Sequence, residues 1–250
     1  MNERILMSIS PRDRLIVALD VPDLKKAREL IDRLGPSVNF YKVGNQLFTS
    51  CGPKIVELIK EKGHQVFLDL KYHDIPNTVA KAAQAAYELG VDMFNMHAMG
   101  GFSMMETATA AVTNSASSDK MPKPVMLGVT VLTSMDEATF QDVLGTPGRS
   151  IDEQVLHLAR LSQSAGLDGV VASPHEIAML RRELGSEFVI LTPGIRPADS
   201  SSDDQKRFLT PGQAIKTGAD YLVVGRPITT AQDPADAATK IIKEIEDALK

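Results

Sequence analysis

Eight short apolar runs, rich in Val, Ile, Leu and Phe, recur along this chain of 250 residues. They alternate with longer amphipathic stretches that carry charges at helical spacing, which is the pattern of repeated βα units around a parallel sheet. The runs are RLIVALD (14–20), VNFYKVG (38–44), QVFLDLK (65–71), DMFNMHA (92–98), PVMLGVTVL (124–132), DGVVAS (168–173), FVILTPG (188–194) and DYLVVGR (220–226). Because about 250 residues is the usual length of a closed eight-stranded α/β barrel, the sequence predicts a (β/α)8 TIM barrel.

An open, doubly wound sheet is the main alternative fold for this pattern. That fold normally shows a G-x-G-x-x-G fingerprint after its first strand, and ALDVPD (18–23) contains no glycine. No linker rich in Pro, Ser or Gly divides the chain, and its two longest loop-like segments, roughly 130–150 and 192–210, lie inside the βα rhythm. We therefore expect one catalytic barrel domain over residues 1–250.

The charge balance argues against a nucleic-acid partner and against an anionic membrane. The chain has 27 Lys and Arg against 32 Asp and Glu, a net charge of -5, whereas such partners need a basic surface. The single cysteine, Cys51, cannot form an intramolecular disulfide, and no Cys and His pair has zinc-ligand spacing. No apolar run resembles a signal peptide or a membrane span, so we expect a cytoplasmic protein.

The segment FLDLKYHDIPNT (67–78) sets Asp69, Lys71 and Asp74 at the point where a buried strand ends. Residues two apart on a strand share a face, so Asp69 and Lys71 should both point inward at the mouth of the barrel, where this fold places its active sites. Lys42, at the end of the neighbouring strand, should point into the same space. A purely structural ion-pair network is the alternative, but apolar residues of similar volume usually stabilise a protein as well as a buried ion pair does.

The last strand is followed by GRP, which predicts an anion site. Gly225 permits close approach of the backbone to a ligand, Arg226 supplies a forked donor, and a short helix beginning near Pro227 would direct its amides at a phosphate. Barrels of this kind frequently bind phosphate after strands 7 and 8. A surface ion pair is the alternative role for Arg226.

Strand 7 ends in TPGIRP (192–197), and the polar ADSSSDDQKRF (198–208) that follows has the composition of a lid. Arg196 and Gln205 could then close over the phosphate. A surface loop without a functional role is the alternative.

Seven motifs, in order over nearly the whole chain, closely resemble the bacterial orotidine 5'-phosphate decarboxylase family. They are VALD (17–20), KVG (42–44), FLDLKYHDIPNT (67–78), NMHAMGG (95–101), VTVLTS (129–134), TPGIRP (192–197) and VVGRPIT (223–229). The resemblance implies a homodimeric (β/α)8 barrel that converts orotidine 5'-monophosphate to UMP and carbon dioxide in de novo pyrimidine biosynthesis. It also implies that the reaction uses no metal and no organic cofactor.

The resemblance further implies a role for each matching residue. Lys71 donates a proton to C6 of the pyrimidine, Asp69 faces the departing carboxylate, and Lys42 bridges the charged groups and the ribose. Asp74 and Thr78 reach the active site of the partner subunit.

At the substrate-binding end, the resemblance implies that Asp20 binds the ribose hydroxyls and that Thr133 lies near the pyrimidine. The phosphate is held by the residues at the ends of the last two strands and in the lid, namely Arg196, Gln205, Gly225 and Arg226.

Two other functions are also compatible with the sequence. One is a magnesium-dependent sugar-phosphate decarboxylase, or an aldol-type enzyme, on the same barrel. Lys42 argues against the magnesium enzyme, which has an acid at the end of strand 2, and a lysine there would repel the metal. The other is a barrel that binds a nucleotide without catalysis, for which Lys71 would be unnecessary.

Overall fold

The computed structural model describes residues 9–144, 148–197 and 209–250. Its eight strands are all parallel and close into a barrel in chain order, with β8 paired to β1. The strands are β1 Leu15–Ala18, β2 Phe40–Gly44, β3 Gln65–Tyr72, β4 Met93–His97, β5 Val125–Val129, β6 Gly169–Val171, β7 Val189–Pro193 and β8 Tyr221–Val224. Each strand coincides with one of the eight predicted runs, so the predicted (β/α)8 barrel is confirmed.

Helices follow the strands and surround the barrel. They are α1 Leu24–Leu34, α2 Asn45–Cys51, α3 Lys54–Glu61, α4 Pro76–Glu88, α5 Phe102–Asp119, α6 Glu137–Leu144, α7 Ile151–Ser164, α8 Ile177–Leu184, α9 Pro211–Thr217, α10 Arg226–Thr229 and α11 Pro234–Leu249. Short 3-10 helices lie at Gly35–Ser37 and Ala98–Gly100. Within the described ranges, no helix has both the length and the apolar content needed to cross a membrane.

The first helix shows how the sequence sets these boundaries. The carboxylate of Asp23 accepts the amide hydrogen of Lys26 at 2.8 Å, which caps the start of α1. The helix ends at Leu34 and is followed by Gly35, whose φ of 52° suits a residue without a side chain. Between the two ends, one face is buried against the barrel at positions three and four apart, namely Ala27, Leu30, Ile31 and Leu34.

The core has two layers, one inside the barrel and one between the barrel and the helices. The inner layer is a compact apolar cluster of Ile16, Ala18, Phe40, Phe67, Met93, Leu127, Leu191 and Val223. Side chains alternate along a strand, so the residues two positions later point inward as well, one layer nearer the carboxyl ends. On β2, β3 and β4 those residues are polar: Lys42, Asp69 and Asn95.

The opposite end of the barrel carries a repeated ion-pair arrangement. Asp92, Asp168 and Asp220 each stand one residue before an even-numbered strand, and each carboxylate accepts an amide hydrogen from the preceding strand at 2.8–2.9 Å. Each carboxylate also pairs with a cation at 2.6–3.0 Å, the three cations being Lys60, Lys123 and Arg181. The amide hydrogen bonds join neighbouring strands at their amino ends, whereas the carboxyl ends hold the candidate site.

Candidate active site

Four charged side chains of alternating sign meet at the carboxyl ends of β1, β2 and β3. Lys42 Nζ lies 3.2 Å from Asp20 Oδ1 and 3.4 Å from Asp69 Oδ2. Lys71 Nζ lies 2.6 Å from Asp69 Oδ1. We call Asp20, Lys42, Asp69 and Lys71 the charged network. The strand pattern predicted that Lys42, Asp69 and Lys71 share this space, and the structure places Asp20 beside them.

Asp69 is the centre of the charged network and is almost enclosed, with 12% of its side chain exposed. Burial alone would raise the pKa of this carboxyl. The ammonium groups of Lys42 and Lys71, together with hydrogen bonds from Lys71 and Asn95, outweigh burial and hold the pKa of Asp69 below its usual range. Asp69 is therefore an anion near neutral pH.

Lys71 has an unusual backbone for a strand residue. Its φ is 53°, one of two positive values at non-glycine positions within the described residues. The pairing of β3 with β4 is irregular at this point, because Leu68 pairs with Phe94 and Tyr72 with Met96. Strained backbone of this kind costs about 1–3 kcal/mol and is concentrated at functional sites.

Asn95 is a part of the site that the sequence reasoning did not single out. It is fully buried on β4, its Oδ1 accepts the amide hydrogen of Lys71 at 2.9 Å, and its Nδ2 donates to Asp69 Oδ1 at 2.7 Å. The available signal was an inward-facing amide in the otherwise apolar start of β4, MFNM. A buried polar side chain in such a run requires partners, and these partners belong to the charged network.

Gly44 leaves room for the Lys42 ammonium. It ends β2, where it pairs with Asp69, and a Cβ built on it would stand 2.9 Å from Lys42 Nζ. Any larger residue at this position would displace the ammonium. The KVG motif therefore needs its glycine for space.

A cavity of about 190 Å³ opens beside the charged network. Lys42, Asp69, Lys71 and Thr133 supply its polar edge, and the rest of its lining is mainly apolar, namely Phe67, Val129, Val131, Leu132, Val171, Leu191, Pro193 and Val223. Such a lining suits a ligand with apolar faces and a polar edge that meets the ionised groups. Across the ranges that the structure covers, no group of three or more His, Cys, Asp or Glu is placed to hold a metal ion.

The two residues expected to serve a partner subunit lie outside the charged network of their own chain. Asp74 and Thr78 are both exposed, in the turn after β3 and in the first turn of α4. The Asp74 carboxylate accepts the amide hydrogen of Ile75 at 2.6 Å. Ile75 itself is 66% exposed, which is a high fraction for an apolar residue beside an active site.

The predicted phosphate residues follow β7 and β8. Gly225 precedes α10, and a Cβ on it would lie 3.6 Å from Asp20 Oδ2, so this end of β8 borders the charged network. Arg226 is exposed and is the first residue of α10. The amide of Arg196 donates to Leu209 O at 3.4 Å, which brings the two ends of the intervening segment together. Gln205 lies outside the described residues.

The fold and the site together define a (β/α)8 barrel that carries an ionised aspartate–lysine pair at the end of β3. A sequence profile of the Orotidine 5'-phosphate decarboxylase / HUMPS family matches residues 13–241. The chain belongs to this family.

Individual relatives match the chain along almost its whole length. The orotidine 5'-phosphate decarboxylase of Moorella thermoacetica is 52% identical over 96% of this chain and 95% of that protein. The enzyme of the same name from Syntrophotalea carbinolica is 50% identical over 98% of this chain and 99% of its own.

Among solved structures, the orotidine 5'-phosphate decarboxylase of Lactobacillus acidophilus is similar, with a TM-score of 0.81 and 37% identity over 92% of this chain and 98% of that chain. An uncharacterized conserved protein of Geobacillus kaustophilus gives a TM-score of 0.82 at 37% identity, over 92% of this chain and 99% of that one. The similarity therefore includes the whole barrel.

Proposed function

We propose that this chain decarboxylates orotidine 5'-monophosphate to UMP and carbon dioxide, with Lys71 as the proton donor to C6 of the pyrimidine. Family membership and relatives of that name, about 50% identical, support the reaction. The observation that carries the mechanism is the position of Lys71 Nζ, 2.6 Å from Asp69 Oδ1 beside the cavity.

The chemistry requires a fixed cation at the ring edge. Loss of carbon dioxide from C6 leaves an electron pair in the plane of the ring, where no adjacent π system can delocalise it. A preorganised positive group close to C6 stabilises that charge as it develops and needs no reorganisation during the reaction. Lys71 meets this need, because its ammonium is held 2.6 Å from the Asp69 carboxylate and its backbone has an uncommon angle. It then transfers its proton to C6.

Asp69 contributes a second effect. As an anion facing the substrate carboxylate, it disfavours the bound substrate more than the species that forms as carbon dioxide leaves. The low pKa of Asp69 keeps it ionised during this step. Its other effect is to orient Lys71 through the hydrogen bond to Nζ.

The remaining residues bind the nucleotide away from the reacting atoms. We assign Asp20 and Lys42 to the ribose hydroxyls, Thr133 to the pyrimidine edge, and the residues after β7 and β8 to the phosphate, namely Arg196, Gln205, Gly225 and Arg226. Binding energy from the phosphate can hold the base against the charged network, so contacts remote from C6 still raise the rate.

Dimerisation is also part of the proposal. A site completed by Asp74 and Thr78 of a second copy requires that the face after β3 be covered by that copy. The exposed apolar residues support this, because Ile75, Met99 and Phe102 follow β3 and β4 at the carboxyl end of the barrel and are 66%, 43% and 40% exposed. We propose that residues 1–250 act as one catalytic domain of a cytoplasmic homodimer.

The magnesium-dependent alternative is not supported. The named relatives are orotidine 5'-phosphate decarboxylases. In addition, the Lys42 ammonium lies 3.4 Å from Asp69, where its charge would repel a divalent cation held by that carboxylate.

A spectrophotometric assay with orotidine 5'-monophosphate tests the function. The purified chain should convert it to UMP, and added EDTA should leave the rate unchanged. Lys71→Ala should abolish turnover and still bind UMP, whereas Arg226→Ala should mainly lower kcat/KM. A wild-type chain without turnover would refute the function, and an active, folded Lys71→Ala variant would remove Lys71 from the mechanism.

A further inference from the structure

Asn95 uses both ends of its amide on the charged network. It is 0% exposed, its Oδ1 accepts the backbone amide hydrogen of Lys71 at 2.9 Å, and its Nδ2 donates to Asp69 Oδ1 at 2.7 Å. Only one orientation of the amide satisfies these contacts, because an N–H must meet an oxygen and a carboxylate must meet a donor. The side chain of Asn95 therefore links the backbone of Lys71 to the carboxylate of Asp69.

The link lies where the strand ladder is interrupted. The pairs Leu68 with Phe94 and Tyr72 with Met96 place three residues of β3 opposite the single residue Asn95 of β4. Such a bulge leaves backbone groups without a ladder partner and redirects side chains. The side-chain oxygen of Asn95 accepts the Lys71 amide hydrogen at this point, and Lys71 has its φ of 53° there.

We propose that Asn95 is a positioning residue for the decarboxylation, an inference that rests on the proposed function. Its carbonyl oxygen stabilises the left-handed backbone of Lys71, and its NH₂ group fixes the Asp69 oxygen that also accepts from Lys71 Nζ. The two bonds together set the direction of the Lys71 ammonium. Without Asn95, the backbone of Lys71 would relax and the ammonium would no longer face C6.

A role in packing alone does not explain this residue. Met93, Phe94 and Met96 show that β4 is apolar around it, and a buried amide costs more to desolvate than an apolar side chain of similar size. An amide at this position is explained by the two groups that it bonds. Both belong to the proposed catalytic pair, Asp69 and Lys71.

Three variants test the inference: Asn95→Ala, Asn95→Asp and the control Asn39→Ala. Asn39 stands just before β2, at the amino end of the barrel, and its Nδ2 donates to Asp13 Oδ1 at 2.8 Å. The control thus removes an asparagine hydrogen bond to a carboxylate remote from the site. For each variant we would measure kcat and its pH profile with orotidine 5'-monophosphate, the Kd of UMP, and Tm.

Loss of a hydrogen bond to a charged group predicts that Asn95→Ala lowers kcat by about 10- to 100-fold. The Kd of UMP should stay within about threefold of the wild-type value. The contacts that bind the nucleotide are unchanged when only the orientation of the Lys71 ammonium is lost. Asn39→Ala should leave kcat unchanged even if it lowers Tm.

Asn95→Asp gives a pH profile that a purely structural role of Asn95 would not change. The introduced carboxylate would lie against Asp69, and two adjacent carboxylates raise the pKa of one of them. Below that raised pKa the shared proton replaces the amide donor, and above it the two anions repel each other. The kcat of this variant should therefore rise as the pH is lowered through the raised carboxyl pKa. The kcat of the wild type should show no such rise toward lower pH.

The outcomes separate this inference from the function on which it rests. An inactive wild-type chain would overturn the function itself. Suppose instead that the wild type is active. Then an Asn95→Ala kcat close to the wild-type value, or an Asn95→Asp pH profile like that of the wild type, would overturn only the role of Asn95. Should Asn95→Ala fail to fold, the pH profile of the nearly isosteric Asn95→Asp variant decides.

Discussion

The left-handed backbone of Lys71 makes a specific prediction about stability. Within a strand, glycine is ordinarily less stable than alanine, by about 0.5–1 kcal/mol, since it loses more backbone freedom on folding. At a φ of 53° the order should reverse, because a Cβ crowds the following carbonyl oxygen there at a cost of about 1–2 kcal/mol. The two effects oppose each other, and the larger one is the steric cost of the Cβ.

We therefore expect Lys71→Gly to be more stable than Lys71→Ala by about 1 kcal/mol, which corresponds to about 2–4 °C in Tm for a chain of this size. Both variants lose the ammonium and its pair with Asp69, so the electrostatic change cancels in the comparison. Denaturant and thermal unfolding of the two variants would measure the difference.

The same comparison at Gln65 provides the control. Gln65 is the first residue of β3 and is not among the residues with positive φ, so Gln65→Gly should be less stable than Gln65→Ala. If Lys71→Ala were as stable as Lys71→Gly, or more stable, the idea that Lys71 is held in a strained backbone would be wrong.

Three further predictions follow from the site and the barrel. Asp69 has a lowered pKa in the folded chain, so its contribution to the free energy of unfolding is complete above its unfolded pKa, near pH 4, and is lost as the pH falls through its folded pKa. The free energy of unfolding of Asp69→Asn should therefore fall less steeply in acid than that of the wild type, and equal slopes would contradict a lowered pKa of Asp69. Gly44→Ala places a Cβ 2.9 Å from Lys42 Nζ and should lower kcat/KM at least tenfold, a loss of about 1.4 kcal/mol in transition-state binding. The control Gly212→Ala, on α9, meets only contacts of 3.4 Å and longer and should leave the kinetics unchanged. Unaltered kinetics in Gly44→Ala would show that the Lys42 ammonium can be displaced without loss of activity. Asp220→Ala removes the acceptor for the Ile190 amide hydrogen and the ion-pair partner of Arg181. Denaturant unfolding should show that the free energy of unfolding falls by about 1–3 kcal/mol, while kcat is preserved. A loss of kcat in the folded variant would contradict the idea that the amino end of the barrel contributes to stability and not to catalysis.

Much of the fold could be predicted because the signals were local and repeated. Each strand is a short apolar run, and helices such as α1 and α11 begin at an aspartate cap, Asp23 or Asp233. Alternation along β2 and β3 predicted Lys42, Asp69 and Lys71 on one face, and the structure has the three together, although a bulge that alternation does not contain shapes the backbone of Lys71. Closure of the barrel followed from the strand count.

Other features depend on contacts that no local pattern contains. The bulge at Lys71 arises from a register shift between β3 and β4, and the importance of Asn95 is apparent only once that shift is known. Likewise, the clearance at Gly44 depends on where the Lys42 side chain lies after folding. The ion pairs of Asp92, Asp168 and Asp220 join segments that are far apart in sequence.

The central claim is that Lys71 presents its ammonium to C6 of the pyrimidine. A crystal structure of the chain with bound UMP measures this directly. We predict that Lys71 Nζ lies about 3–3.5 Å from C6, within reach for proton transfer, with Asp69 still bonded to Nζ. An ordered UMP in the cavity with the Lys71 ammonium turned away from C6 would contradict the proposed mechanism.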